Sequence, residues 1–73
     1  MSVARVIELS ATSTKSFEDA VQQGIARANK TLRHVTGAWI KEQRLSVENG
    51  GISEYQVNML VTFVLDDSMD QNP

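Results

Sequence analysis

The sequence predicts an α+β domain of order β-α-β-β, with a three-stranded antiparallel sheet packed on one long helix. Three observations predict it. Tyr55, Val57, Met59, Val61, Phe63 and Leu65 form an apolar row at period two, while the alternate row from Glu54 to Val64 is mixed. Phe17, Ala20, Val21, Gly24, Ile25, Ala28, Leu32 and Val35 recur at three- and four-residue spacing, one stripe of a helix of about five turns. Asn49, Gly50 and Gly51 separate two strand-like runs with residues that accept positive φ. A lone helix covers one sheet face, and nothing else in 73 residues is left for the other. That second face, with Gln56 on it, must meet solvent, a ligand or another subunit.

Each element has its own local reason. Val3 to Leu9 mixes β-branched and polar residues as a short strand does, and Ser10 to Thr14 reads as a small polar connection. Ser16 is placed to cap the helix, with Asp19 three positions later completing an S-x-x-D start that suits the helix dipole. The polar side of the helix carries Glu18, Gln22, Gln23, Arg27, Lys30 and Arg33, with positive charge gathering toward its C-terminal turns. Gly24 interrupts the apolar stripe at a cost of about 1 kcal/mol relative to alanine, which close approach of another backbone would explain. Thr36 and Gly37 are expected to end the helix. Ala38 to Glu48 forms strand two, and the turn leads into strand three at Glu54 to Leu65. The reading gives a single domain, 1–66, and a disordered acidic tail, 67–73.

Composition excludes several classes. A domain of this size buries only about 60% of its unfolded surface, and without cysteine or a zinc pattern the remaining support is oligomerisation. A formal charge of −2 is not the basic surplus of a nucleic-acid binder. No apolar run reaches the roughly 20 residues of a membrane span, and Met1 to Leu9 lacks the pattern of a signal peptide, so a cytoplasmic location is expected. Enzymatic chemistry has little to stand on. There is no cysteine, no nucleophile elbow and no glycine-rich phosphate loop, and His34 is read in the last helical turn, favouring the carbonyl end of the dipole. The carboxylates Glu8, Glu42, Glu48, Glu54, Asp66 and Asp67 do not follow the spacing of a calcium loop.

Binding chemistry is better represented. Gln56 points away from the helix, and its amide offers two donors and an acceptor to the edge of a heteroaromatic ring. Trp39, early in strand two, can stack on a planar ligand or fill a subunit contact. Arg44 can pair with a phosphate, or with Glu42 or Glu54 in a strand-surface salt bridge.

The string T-S-x-x-S-F-x-x-A at Thr12 to Ala20, the helix end through Ala28 to Val35, E-x-R at Glu42 to Arg44, E-N-G at Glu48 to Gly50 and Y-Q-V at Tyr55 to Val57 together resemble the dodecin family, in colinear order over residues 3 to 66. The resemblance implies a small β-α-β-β subunit that assembles through trimers into a hollow homododecamer. It also implies binding of a flavin, riboflavin or FMN, between subunits, for storage or sequestration without turnover. The glutamine of the family's Y-Q motif, which bonds the isoalloxazine edge, matches Gln56, and an arginine near the ligand matches Arg44. The tryptophan that stacks on the ring is replaced. Aligning without gaps puts Gly37 at its place and leaves Trp39 two residues further on. Either a local shift in strand two returns Trp39 to the pocket, or this is a dodecin with weak or absent flavin binding, in the latter case a structural or calcium-binding assembly, since the family also includes chains without that tryptophan, calcium-associated ones among them.

Overall fold

The computed structural model describes residues 3–65, so the predicted tail, 67–73, lies outside it. The element order is β1 (Ala4–Ser13), α1 (Phe17–Thr31), β2 (Val35–Glu48) and β3 (Gly51–Val64). Both β1 and β2 pair antiparallel with β3, giving one sheet of order β1-β3-β2. The β-α-β-β fold class stands as the sequence predicts it.

Ser16 caps α1, its hydroxyl accepting the Asp19 N–H at 2.9 Å. The neighbouring loop is closed by the Ser13 hydroxyl. It donates to Asp19 Oδ2 at 2.6 Å and accepts from the backbone N–H groups of Lys15 and Ser16. Gln23 donates to the same carboxylate oxygen. These donors, Ser13 first and Gln23 second, hold the Asp19 carboxyl below its ordinary pKa.

Ala20, Gly24 and Ala28 are the buried positions of α1, one turn apart, and they let the helix press closely on the sheet. Met59, Val57 and Val61 on β3 are fully buried beneath it, each contributing about 1.5–3 kcal/mol by burial. Ile7, Leu9 and Ala11 of β1 pack at the margin of this core. Phe17 and Tyr55 meet edge to face, their centroids 5.2 Å apart. Gly24 is explained by side chains rather than by the backbone expected from the sequence. A Cβ there would lie 2.8 Å from Met59 Cε and 3.2 Å from Ala11 Cβ.

Four boundaries differ from the sequence reading. β1 continues through Ser10 to Ser13, because pairing with Asn58 to Tyr55 supplies hydrogen bonds that its small polar residues do not attract alone. α1 stops at Thr31, where Leu32 turns extended while its N–H still bonds Ala28 O. The left-handed residue at the reversal is His34, with φ 60°, so His34 is not helical and Gly37 is not the helix end. Gly37 lies inside β2, which starts at Val35. At the hairpin, Asn49 and Gly50 take φ of 53° and 80°, the pattern of a type I′ turn, and Gly51 already pairs with Glu48 as the first residue of β3.

The helix does not cover its whole face of the sheet. Ile40 and Leu45, paired with the helix-facing Met59 and Tyr55, are both exposed, and Val47 is 63% exposed. No residue of β2 is buried.

Candidate functional site

Directly opposed residues of an antiparallel sheet share a face, so the register places every predicted site residue. On the face away from α1, β3 presents Gln56, Asn58, Leu60 and Thr62; β2 sets Arg44, Glu42, Trp39 and Gly37 opposite them in that order. β1 adds Thr12, Ser10, Glu8 and Val6. Trp39 and Arg44 are five residues apart and would fall on opposite faces of a regular strand. They share one because Lys41 is extra, the register jumping between Ile40 and Glu42. The same bulge turns Lys41 across Leu60 to Glu8 on β1, where its Nζ lies 3.2 Å from the carboxylate.

Gln56, Asn58, Glu42, Gln43 and Arg44 line a groove of about 380 Å³. A hydrogen-bonded line crosses the three strands beside it. Asn58 Nδ2 donates to Glu42 Oε1 at 3.0 Å, Gln56 Nε2 donates to Asn58 Oδ1 at 3.2 Å, and the same Nε2 donates to Ser10 Oγ at 3.1 Å. Glu42 is thereby engaged by Asn58, and the alternative salt bridges of Arg44 with Glu42 or Glu54 are not formed among the described residues. The sequence reading passed over Asn58 and Ser10; only their register positions beside Gln56 single them out.

Trp39 is 61% exposed on this face. Its β3 partner is Leu60, four residues from Gln56, so the indole stands about 13 Å along the strand from the glutamine. Gly37, opposite Thr62, lies about 20 Å from Gln56 on the same count. One subunit therefore unites Gln56 and Arg44 in a groove and leaves Trp39 and Gly37 outside it. A Cβ at Gly37 would meet nothing within 4 Å.

Among the described residues no group of three or more histidine, cysteine, aspartate or glutamate side chains is arranged to hold a metal ion. No helix there is long and apolar enough to cross a membrane.

A family model described as Dodecin matches residues 3–66. The chain belongs to the dodecin family. The dodecin of Thermus thermophilus is 41% identical over 66 residues, covering 90% of this chain and 96% of its own length. A crystal structure of that organism's protein superposes with a TM-score of 0.86 at 41% identity, covering 90% of this chain and 97% of the other. The dodecin from Streptomyces davaonensis gives a TM-score of 0.85 at 34% identity, covering 89% and 96%. The calcium dodecin of Mycobacterium tuberculosis is 32% identical over 63 residues, covering 86% of this chain and 89% of its own. The dodecin likeness read from the T-S-x-x-S-F and Y-Q-V strings thus extends to the backbone of the whole described region.

Proposed function

We propose that this chain is a non-enzymatic flavin-binding and storage protein, taking riboflavin or FMN, that works as a homo-oligomer of the dodecameric kind built from trimers. Gln56 and Arg44 act as the polar contacts of the flavin, and Trp39, with the open position Gly37 beside it, forms its stacking wall. The observation that carries the reading is the outer sheet face. A polar groove holding Gln56 and Arg44 and an exposed indole lie on one surface that this chain cannot cover by itself. Because Trp39 stands about 13 Å from Gln56 along the strand, the pocket is completed by a second copy. Exposed apolar side chains of β2, Trp39 on this face and Ile40 and Leu45 on the helix side, support association of copies, since exposed apolar surface marks interaction sites.

Titration of riboflavin and FMN with the purified protein tests this. Quenching of flavin fluorescence at micromolar protein, together with a particle mass near twelve chains by light scattering, is the expected result. No quenching at that concentration removes flavin storage.

A second reading, a calcium-binding assembly, is favoured by the likeness to the calcium dodecin. Its ligands would have to come from two copies, given that one copy groups no three acidic or imidazole side chains among the described residues. Calorimetric titration with calcium, showing saturable heat at stoichiometric concentrations where flavin gives none, would select it.

A further inference from the structure

Gln56 is not free to present either end of its amide. Glu42, as an ionised carboxylate, only accepts hydrogen bonds, so the side chain of Asn58 that reaches it must turn its Nδ2 that way. Asn58 then offers Oδ1 on its other side, an acceptor, and Gln56 must answer with Nε2. The second hydrogen of that Nε2 is taken by Ser10 Oγ. Both amide donors of Gln56 are consumed within the subunit, and its Oε1 accepts no hydrogen bond among the described residues.

From this we infer that Glu42 is a positioning residue which, through Asn58, fixes the polarity of Gln56, so that the groove offers an acceptor and selects planar heterocycles presenting an N–H at that edge. The inference deepens the flavin reading and rests on it for the ligand. Glu42 acts without touching the ring. Its carboxylate excludes the flipped arrangement, in which Asn58 Oδ1 would face it and two acceptors would be left opposed without a proton between them. An amide at position 42 removes that exclusion, since it can donate or accept with equal ease.

The test compares riboflavin, whose ring imide carries an N–H, with N3-methylriboflavin, which cannot donate there, on the full chain in its assembled state. The wild-type protein is expected to bind riboflavin about tenfold more tightly, the value of one hydrogen bond. Glu42→Gln is expected to reduce that ratio to below about threefold by letting Asn58 and Gln56 turn together. Glu18→Gln, which neutralises an exposed carboxylate in the first turn of α1 on the other side of the sheet, is expected to keep the wild-type ratio. An unchanged ratio in Glu42→Gln overturns the inference while leaving flavin binding intact. A second measurement needs no ligand: in spectra of the isotopically labelled protein, the side-chain amide signals of Asn58 and Gln56 should both move in Glu42→Gln, with the core amides unmoved. Were riboflavin not to bind the wild type at all, the storage reading would fall, and the amide signals alone would decide the orientation: movement of Gln56 upholds it, and a stationary Gln56 ends it.

Discussion

β1 and β2 both flank β3 as edge strands, yet α1 lies mainly over β1 and meets β2 only at its start, where Val35 joins the core. Under the helix, Ala20, Gly24 and Ala28 press against Met59, Leu9 and Ala11, and the β3 residues Val57, Met59 and Val61 lose all contact with solvent. Beyond it, Ile40, Leu45 and Val47 of β2 stay exposed although two of them pair with helix-facing positions. The cause is width. A helix about 10 Å across covers about two strands spaced 4.8 Å apart, and most of the third stays open. One half of the domain is packed; the other is open.

Substitutions should separate these halves, beginning where the effect is greatest. Met59→Ala removes the largest fully buried side chain and should cost about 2–5 kcal/mol of folding stability, read from denaturant midpoints. A loss below about 1 kcal/mol would show that the core tolerates cavities and that the contrast is overstated.

Ile40→Lys combined with Val47→Lys should leave the secondary structure of a single copy in place and reduce the particle toward the 8.1 kDa chain in light scattering. Each exposed aliphatic side chain stands to lose about 1.5–3 kcal/mol of burial between copies. An oligomer of unchanged mass would mean that β2 is not the contact.

Smaller still is the effect on ligand. Trp39→Ala should weaken flavin binding by about one to two decades, the worth of one stacked aromatic, 1–3 kcal/mol. Gly37→Trp should strengthen it by a similar factor, since a side chain at that position meets open space. Fluorescence titration measures both, and a Gly37→Trp protein of unaltered affinity would place the ring elsewhere than on this part of β2.

The least effect is expected from the cap. Asp19 has its pKa lowered by the Ser13 and Gln23 donors, so its folded form holds the charge more readily than the unfolded chain does. Its stabilisation is present above about pH 4, the ordinary carboxylate range, and is lost as pH falls through the lowered folded value. Thermal melts of Asp19→Asn should therefore lie below the wild type at neutral pH and converge with it in strong acid. A gap that persists at the acid end would assign the difference to geometry instead of charge.

Much of the packed half was legible because its signals are local. The period-two row at Tyr55 to Leu65, the stripe of α1, the Ser16 cap and the Asn-Gly turn each depend on residues within a few positions of one another. Where a boundary failed, a distant partner had decided it. Ser10 to Ser13 became strand because β3 lay alongside, and Val35 to Gly37 left the predicted helix to pair with Phe63 and Thr62. The dodecin likeness, carried by the same short strings, was confirmed along residues 3–66.

By itself, then, the chain determined its order of elements, the face on which Gln56 stands and the shortage of cover for that face, because alternation and helical spacing are properties of neighbours in sequence. Only the tertiary structure decided that Trp39 and Gly37 share that face with Arg44, that Ser10, Asn58 and Glu42 join Gln56 in one line, and that β2 beyond Val35 remains largely bare. These depend on an extra residue at Lys41 and on the register of three strands, and register is set by side chains packing across the sheet, between residues far apart along the backbone.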